Sequence, residues 1–484
     1  MPTSPSDAPP AVHDLAVVGA GPAGLAAATA AAELGLTVAL IDSAARPGGQ
    51  FYRQPAPGLG AARPQALHHS WSAFARRAAR LDAQLAAGRV HHYADHHVWA
   101  VTRDADDPAH WTVHAVTGPD GAAGPAVGPT ARTVLLATGA HERQLPFPGW
   151  TVPGVIGAGG AQAMLKSGLV LPGRRIVVAG SGPLLLAVAG ALAAAGATVP
   201  VVAEASGYRG YARTPRALAA NPRKLLEAAG HTATLLRHGV RLRSRSAVTA
   251  VHGTDRVEAI TLSRLGRDWR PLPDTGVRIP CEALAVGHGL VPQLELATAL
   301  GCATRRTPDG GHALIVDDQQ RTTVGGIWAA GETAGVGGAE LAFLEGEVAA
   351  RSIARRRPGR ALRRRRDRLR RFADAMALVH APGPGWSHWL RADTEVCRCE
   401  EVSTGRIRQA VADLGARDPR TVKLLTRAGM GWCQGRMCGA AVEHLAGDAA
   451  AGPGRRPLAC PVVLSHLIDT PGPPEGGTRA DHQP

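Results

Sequence analysis

Cysteine is missing from the first half of this 484-residue chain: none of its seven cysteines precedes Cys281, and four lie between Cys397 and Cys438. A disulfide framework spreads paired cysteines along a chain, so this distribution favours a metal or cluster site instead. Apolar runs of the roughly 20 residues that a membrane-spanning helix needs are also missing. Residues 1–12 lack the basic and apolar segments of a secretory signal. We therefore expect a cytoplasmic protein without a transmembrane segment.

Aromatic residues are scarce as well, at 4% of the chain, although the formal net charge is +15. Nucleic-acid-binding proteins combine basic patches with aromatic side chains or a recognised motif. Because the chain shows neither, we expect no nucleic acid partner. Much of the excess positive charge lies in residues 351–371. We interpret this run as a solvated connecting helix, and the main alternative is docking onto an acidic partner subunit.

Residues 14–24, D-L-A-V-V-G-A-G-P-A-G, are typical of a strand, a glycine turn and the start of a helix. In this G-x-G-x-x-G pattern Gly19 permits the tight turn, Gly21 lets backbone approach a pyrophosphate, and Gly24 lets the helix pack on the strand. A second strand ends at Asp42, whose carboxylate can accept a hydrogen bond from a ribose hydroxyl. A purely structural βαβ turn is the alternative, but the full order of elements favours a nucleotide site.

Three later turns of small residues can reach the same nucleotide. They contain Gly49 and Gln50, Thr138 and Gly139, and Gly331 and Glu332. The first turn can bring backbone N–H groups against a phosphate, and the second ends an apolar strand. In the third, a carboxylate beside a glycine-rich helix start can hold a ribityl hydroxyl. The helix N-terminus there can face the negative charge that collects on a reduced flavin ring.

A second copy of the nucleotide pattern begins near residue 171. Gly180 and Gly182 follow a strand, and Glu204 stands where a ribose acceptor would be. An acid at that position favours NAD or another adenine nucleotide over NADP. Leu185 replaces the third glycine, so the helix and strand must pack farther apart. A structural βαβ unit is therefore the alternative to a second nucleotide site.

Together these motifs resemble the two-dinucleotide-binding flavoprotein family, in the branch that contains thioredoxin reductase. The resemblance covers residues 15–350 and rests on four motifs in the family's order. It implies a doubly wound, Rossmann-like α/β fold and FAD. The residues that the resemblance implies for FAD are Gly19, Gly21, Gly24, Asp42, Thr138, Gly139, Gly331 and Glu332, with Glu332 in place of the family's Asp. Gly49 and Gln50 are added from the glycine turn described above. Those implied for the second nucleotide are Gly180, Gly182 and Glu204.

The redox disulfide of that branch is absent. Thioredoxin reductases carry a C-x-x-C shortly before the second nucleotide fold, whereas the corresponding stretch here, residues 158–161, reads A-G-G-A. A relay from flavin to disulfide is therefore not available. The electrons of a redox-active flavin must leave or arrive by another route.

Four cysteines near the C-terminus supply such a route: Cys397 and Cys399 form C-x-C, and Cys433 and Cys438 form C-x-x-x-x-C. Thiolates suit an iron–sulfur cluster or zinc. Structural zinc usually uses C-x-x-C knuckles, which this spacing lacks; unligated core cysteines are the third possibility. The other cysteines are interpreted as free buried thiols; they are Cys281, Cys302 and Cys460.

The segment around the quartet is predicted to be helical between its cysteine pairs. Ser403 can cap one helix, and Asp418 another that has Pro419 in its first turn. The four cysteines and the stretch G-x-G-x-C-Q-G-R-x-C-G resemble the bacterioferritin-associated-ferredoxin type of [2Fe-2S] domain. This resemblance implies that Cys397, Cys399, Cys433 and Cys438 ligate a [2Fe-2S] cluster.

A flavoprotein of this kind with such a domain is similar to the α-subunits of opine oxidases, D-hydroxyproline dehydrogenases and hydrogen cyanide synthase. Phrases that carry the similarity are G-G-Q-F-Y-R-Q, A-H-E-R and G-A-Q at residues 48–54, 140–143 and 160–162. The similarity implies that an amine is oxidised on a separate β-subunit with a D-amino-acid-oxidase-like fold. The α-chain would then pass electrons through FAD and the cluster to a quinone, dye or ferredoxin.

Our leading hypothesis is thus an FAD-dependent oxidoreductase subunit of a heteromeric dehydrogenase acting on CH–NH donors. One alternative is a stand-alone NAD(P)H reductase of a ferredoxin or quinone, and another is a non-catalytic iron–sulfur sensor. Catalytic residues stay unassigned. Glu142 and Lys166 are candidates for acid–base roles, and ion pairing of Glu142 with an arginine is the structural alternative.

We predict six segments along the chain. Residues 1–152 and 286–350 form the two parts of an FAD-binding domain, and residues 153–285 form a second nucleotide-binding domain between them. The C-terminal part comprises a basic helical linker at 351–392, a [2Fe-2S]-binding domain at 393–445, and an extension and tail at 446–484.

Overall fold

The computed structural model describes residues 12–104, 107–118, 128–447, 456 and 458–468. Two stretches discussed above lie largely outside these residues: the N-terminal residues 1–12 and the C-terminal extension and tail at 446–484.

The first stretch of the chain alternates strands with helices. Its elements are β1 (His13–Val18), α1 (Pro22–Glu33), β2 (Val38–Ile41), α2 (Trp71–Ala86), β3 (Val90–Tyr93), β4 (His96–Arg103), β5 (Trp111–Thr117), β6 (Thr130–Leu136) and β7 (Ala140–Glu142).

The middle stretch repeats the alternation and then returns to the first layer. Its elements are β8 (Val155–Gly157), α3 (Ala158–Gly168), β9 (Ile176–Gly180), α4 (Leu184–Ala194), β10 (Val201–Glu204), α5 (Pro215–Ala219), α6 (Pro222–Arg237), β11 (Arg241–Ser244), β12 (Ser246–His252), β13 (Ala259–Arg264), β14 (Val277–Pro280), β15 (Ala283–Gly287), β16 (Leu290–Pro292), α7 (Glu295–Ala299), β17 (Thr304–Arg306), β18 (His312–Leu314), β19 (Ile327–Ala329) and α8 (Ala339–Ile353).

The C-terminal stretch is mostly helical. Its elements are α9 (Arg360–Val379), β20 (Glu395–Cys397), β21 (Val402–Ser403), α10 (Thr404–Ala412), α11 (Pro419–Thr426), α12 (Gly439–Ala446) and α13 (Ser465–Ile468). None of the helices in the described ranges is both long and apolar enough to cross a membrane.

The first sheet has the order β3-β2-β1-β6-β5-β4, with β19 paired in parallel to β6. Strands β1, β2, β3 and β6 run parallel, and β4 and β5 continue the sheet antiparallel. Leu15 and Val17 face one core, whereas Ala16 and Val18 face the other. This alternation places helices α1 and α8 against one face of the sheet. The predicted doubly wound α/β fold is therefore confirmed.

The second sheet is all parallel, in the order β11-β10-β9-β15-β8. Strand β10 ends at Glu204, the predicted ribose acceptor. Leu185, at the third glycine position, is buried in the core of this unit. A separate antiparallel sheet, β12-β13-β14, packs beside it.

A single hydrophobic core joins the second unit to the C-terminal domain. Trp269 and Trp389 stack with parallel rings 6.1 Å apart, and the buried Cys397 belongs to the same cluster of side chains. Trp150 donates a hydrogen bond to the Glu395 carbonyl at 2.7 Å. The cysteine-rich domain is thus anchored on the flavoprotein by tryptophan packing.

The basic run differs from the expected solvated connecting helix. The chain leaves α8 after Ile353, and α9 folds back so that Leu369 packs against Leu341 and Leu344. Arg370 forms an ion pair with the buried Glu345 at 2.6 Å. One face of α9 is therefore part of the fold, and only its outer arginines are solvated.

Candidate functional site

A cleft of about 1010 Å³ opens at the carboxyl ends of β1, β2 and β6. Parallel sheets of this type bind nucleotides at that edge. Nine of the ten residues predicted to bind FAD line this cleft: Gly19, Gly21, Asp42, Gly49, Gln50, Thr138, Gly139, Gly331 and Glu332. The tenth, Gly24, lies in helix α1 behind the cleft.

The first glycine turn has the geometry that a pyrophosphate requires. Gly19 has φ +104°, and a Cβ there would overlap the carbonyl oxygen of Ala137. A Cβ at Gly24 would overlap the carbonyl oxygen of Gly19, so α1 crosses the turn in close contact. Gly21 is the N-cap of α1, and no side chain in the described part of the chain accepts a hydrogen bond from the first N–H groups of this helix. The N–H groups of the first turn of α1 are therefore left to an anion in the cleft.

Asp42 is positioned at the end of β2 by two backbone donors. Its Oδ2 accepts from the Ala20 N–H, and its Oδ1 accepts from the Ala44 N–H at 2.7 Å. Burial raises the pKa of this carboxyl above its ordinary value, while the two N–H donors act in the opposite sense. The group faces the cleft with further lone pairs available for a ribose hydroxyl.

Backbone contacts also position the turn at Gly49 and the carboxylate of Glu332, which line the cleft. A Cβ on Gly49 would lie 2.8 Å from the Gly21 Cα, so the second turn packs directly on the first. Glu332 accepts from the N–H groups of Gly337 and Gly338, each at 2.9 Å, and fixes the start of α8. Burial raises the pKa of Glu332. The first glycine turn, the N-termini of α1 and α8, and the carboxylates of Asp42 and Glu332 together fit the pyrophosphate, the ribose and the ring of FAD.

The acid–base candidates are held in structural contacts. Glu142 accepts from the N–H groups of Gly159 at 2.8 Å and Gly160 at 3.3 Å, at the start of α3. The alternative of an arginine partner for Glu142 is wrong, because these N–H groups take that place. Lys166 is buried and donates to the Phe51 carbonyl at 2.7 Å. Burial, reinforced by the charge of Arg53, lowers the pKa of Lys166 to about 8.

The four cysteines of the quartet meet as two pairs. Cys397 lies within hydrogen-bonding reach of Cys438, and Cys399 within reach of Cys433. Two pairs of thiols can supply the four protein ligands that a [2Fe-2S] cluster needs. Across the described ranges, no three or more His, Cys, Asp or Glu side chains converge as they would on a single metal ion.

Local backbone supports the quartet as expected. Ser403 caps α10 by accepting from Arg406, and Asp418 caps α11 by accepting from the Thr421 N–H at 2.9 Å. The Gly429 N–H reaches the Cys397 sulfur at 3.4 Å. Donation from the Cys438 thiol, aided by backbone N–H groups, lowers the pKa of Cys397 to about 5 and so favours the thiolate.

The cysteine-rich domain packs against the flavin cleft. Arg436, between Cys433 and Cys438 of the quartet, lines the cleft and forms an ion pair with Glu295 at 3.0 Å. Cys460 also lines the cleft and is only half-buried, which corrects its interpretation as a buried thiol. Cys281 and Cys302 are buried as predicted. Glu295 was missed because a single acid in a short helix has no sequence signature.

The second glycine turn is covered by the chain itself. Glu204 is buried and accepts from the N–H groups of Gly182 and Ser206, each at 2.9 Å. At the end of α9, the carbonyl of His380 accepts from the Ser181 hydroxyl at 3.0 Å. The His380 ring lies 2.7 Å from the Tyr211 hydroxyl and 3.5 Å from the Glu204 carboxylate. The space beside the turn where a nucleotide would approach therefore holds linker residues.

Comparison with known proteins gives two family matches. The pyridine nucleotide-disulphide oxidoreductase family matches residues 13–349, and the BFD-like [2Fe-2S] binding domain matches residues 395–446. Hydrogen cyanide synthase subunit HcnB of Pseudomonas aeruginosa is 35% identical over 438 residues, which cover 87% of this chain and 90% of that protein. An opine oxidase subunit of Agrobacterium tumefaciens is 33% identical over 448 residues, covering 90% and 85% respectively.

Among solved structures, L-proline dehydrogenase from P. horikoshii has the same fold. It aligns with a TM-score of 0.64 at 20% sequence identity and covers 94% of this chain and 79% of that chain. Thioredoxin reductase from T. acidophilum aligns with a TM-score of 0.51 over 71% of this chain.

Proposed function

Because this chain belongs to the pyridine nucleotide-disulphide oxidoreductase family and carries a BFD-like [2Fe-2S] domain, we propose that it is the electron-transfer subunit of a heteromeric amino-acid or opine dehydrogenase. The chain is an FAD-dependent oxidoreductase subunit related to the subunits of opine oxidase and hydrogen cyanide synthase, and the predicted cofactors FAD and [2Fe-2S] are confirmed. The proposal adds the direction of electron flow and the substrate class, a secondary amine of the D-hydroxyproline or opine kind.

One observation carries the proposal: Arg436, between two cluster cysteines, lines the flavin cleft and pairs with Glu295 on its wall. This contact sets the cluster domain against the flavin site within one chain. When bound, FAD supplies two-electron chemistry and the [2Fe-2S] cluster single-electron transfer. The chain's own residues would hold these groups. The N-terminus of α1 would bind the pyrophosphate, Asp42 would bind the ribose, and the cysteine pairs would bind the irons.

The partner is proposed to be the subunit that oxidises the amine. The relatives are named as subunits of larger enzymes. Glu142, which lines the cleft, and the buried Lys166 are both engaged with backbone, which supports amine chemistry on another chain. We propose a β-subunit with a D-amino-acid-oxidase-like fold as donor, and a quinone, dye or ferredoxin as acceptor, in the cytoplasm.

The alternative, an NAD(P)H reductase, needs a nicotinamide nucleotide at the second glycine turn. His380 lies over that turn in contact with Ser181, Tyr211 and Glu204. Glu204 directs its carboxylate at the Gly182 N–H, which a nucleotide phosphate would otherwise approach. These contacts support the interpretation that the second nucleotide-binding unit holds linker residues in the place where NAD would bind.

The test is anaerobic spectroscopy of the purified chain loaded with flavin and cluster. We expect no bleaching of flavin absorbance by NADH, and bleaching by an opine or secondary amine only with the co-expressed partner subunit. Rapid bleaching by NADH alone would overturn the proposal in favour of the reductase. Cys399→Ser is the control: the amine and partner should still bleach the flavin, but an added acceptor should no longer be reduced.

A further inference from the structure

The two cysteine pairs of the cluster site differ in exposure. Cys397 and Cys438 are each 1% exposed, whereas Cys433 is half-buried and Cys399 is exposed. With a cluster bound, Cys399 and Cys433 would lie on its solvent-facing side and Cys397 and Cys438 on its buried side. The cluster therefore has an edge from which electrons can leave without crossing protein.

An unpartnered tryptophan stands at that edge. Trp432 directly precedes Cys433 and is 80% exposed, more than any other large apolar side chain in the described ranges. Gly431 packs against Cys399 so closely that a Cβ there would overlap the Cys399 Cβ, which keeps Trp432 beside the exposed pair. Exposed apolar patches rimmed by polar groups are typical of protein–protein contacts.

The rim of this patch carries charges of both signs. Arg398, between Cys397 and Cys399, is exposed, as is Arg427. The Glu400 carboxylate is engaged by Arg427 at 2.8 Å, while Glu401 is an exposed carboxylate of the same turn. The chain as a whole carries a net charge of +15, which attracts a partner of opposite sign.

We propose that the surface formed by Cys399, Arg427 and Trp432 docks a small acidic iron–sulfur carrier protein of the ferredoxin type. The inference rests on the proposed function and names its acceptor. In each encounter one electron leaves the reduced cluster, which returns to its oxidised state, and the carrier's own iron–sulfur centre is reduced by one electron. No bond is made or broken, and no proton moves.

The side of the cluster toward the flavin is a different surface. Arg436 on that side is engaged with Glu295 and with the Ala459 carbonyl. Electrons can therefore enter from the flavin cleft and leave at the tryptophan edge, on a different side of the cysteine-rich domain. This separation makes the docking surface testable without disturbing flavin reduction.

The experiment measures binding of an acidic plant-type [2Fe-2S] ferredoxin to the loaded holoenzyme by calorimetry, at low and at high ionic strength. Wild type should bind at low ionic strength and lose affinity with added salt. Trp432→Ala should weaken binding about tenfold or more, since tryptophans are frequent interface anchors. Leu236→Ala is the matched control, because Leu236 is 72% exposed on α6 in the second nucleotide unit; it should bind like wild type.

Failure of this inference is distinguishable from failure of the proposed function. If Trp432→Ala binds ferredoxin within about twofold of wild type, if wild type does not bind at low ionic strength, or if the substitution releases the amine-oxidising subunit instead, the docking surface is wrong. Bleaching of the cluster by amine and partner is measured in the same samples. Loss of that bleaching in wild type would refute the proposed function itself.

Discussion

The Nε of Arg436 lies 3.0 Å from the Oε1 of Glu295, and this ion pair joins the cysteine-rich domain to the wall of the flavin cleft. Arg456 approaches the same carboxylate at 3.8 Å. Glu295 therefore holds two arginines of the C-terminal region against the first residues of α7. Both members of the 3.0 Å pair are mostly buried, so water screens it less than it screens a surface pair.

Glu295→Gln should loosen this junction. It leaves the Arg436 guanidinium without its counter-ion, and we expect a loss of about 1–3 kcal/mol in the free energy of unfolding of the cluster domain. Denaturant titration followed by cluster absorbance measures it. Glu347→Gln is the control, because its pair with Arg351 lies on an exposed helix face and should change stability by less than about 0.5 kcal/mol. Equal effects of both substitutions would contradict a special role for Glu295.

Gly21 and Gly24 should respond differently to alanine. Gly24→Ala sets a Cβ against the Gly19 carbonyl and should destabilise even the flavin-free protein. At Gly21 the nearest atom to an added Cβ is the Gly49 Cα at 3.9 Å, so the fold should tolerate it. The methyl group would nevertheless stand in the cleft, and we expect FAD affinity to fall about tenfold or more. Fluorescence titration of the apoprotein with FAD checks this; unchanged affinity in Gly21→Ala would place the pyrophosphate elsewhere.

Cys399→Ser should remove the cluster, although Cys399 is the most exposed ligand. Serine is a poor ligand for iron in a thiolate site, so we expect loss of iron and of the cluster's visible absorbance. Cys302→Ala is the control: burial raises the pKa of this thiol, and it packs in a different core from the quartet. The control should keep full iron content. Full absorbance in Cys399→Ser would remove Cys399 from the ligand set.

His288 should make stability fall in mild acid. Burial, reinforced by the charge of Arg143, lowers the pKa of His288 to about 3, against 6.5 for an ordinary histidine. Between these values the unfolded chain binds a proton that the folded chain does not, so stability is complete above pH 6.5 and falls as the pH drops toward 3. From pH 6.5 to 5 the loss is about 2 kcal/mol.

The check is urea unfolding, followed by tryptophan fluorescence, of wild type and His288→Gln at both pH values. The difference in unfolding free energy between the two proteins should shift by about 2 kcal/mol in favour of the variant on acidification. A constant difference would show that His288 is protonated equally in both states.

Glu142→Ala should reduce stability and leave electron transfer unchanged. Two N–H groups at the start of α3 lose their acceptor, so we expect a loss of about 1–3 kcal/mol. Glu142→Gln keeps one carbonyl acceptor and should lose less. Stopped-flow measurement of flavin reduction by amine and partner tests the prediction that electron transfer is unchanged. A fall of about a hundredfold in the rate of flavin reduction would instead indicate general acid–base catalysis.

The sequence by itself determined those features whose partners are close along the chain. The turn at Gly19, the caps at Ser403 and Asp418, and the set of four cysteines follow from local spacing, because strand, turn and helix starts are fixed by neighbouring φ and ψ angles and by short-range hydrogen bonds. The fold class and the cofactors follow from the same motifs in their order. The division into six segments and the roles of the individual site residues stay predictions.

Only the tertiary structure decided which distant groups meet. Ser181 and His380 are separated by 199 positions, and no local pattern relates them, yet the back-folding of α9 brings the linker over the second glycine turn. The pairing of Arg436 with Glu295, the pairing of the cysteines and the backbone contacts of Glu142 likewise depend on how buried surfaces pack. Packing is a property of the assembled core, since each contact depends on the positions of all its neighbours.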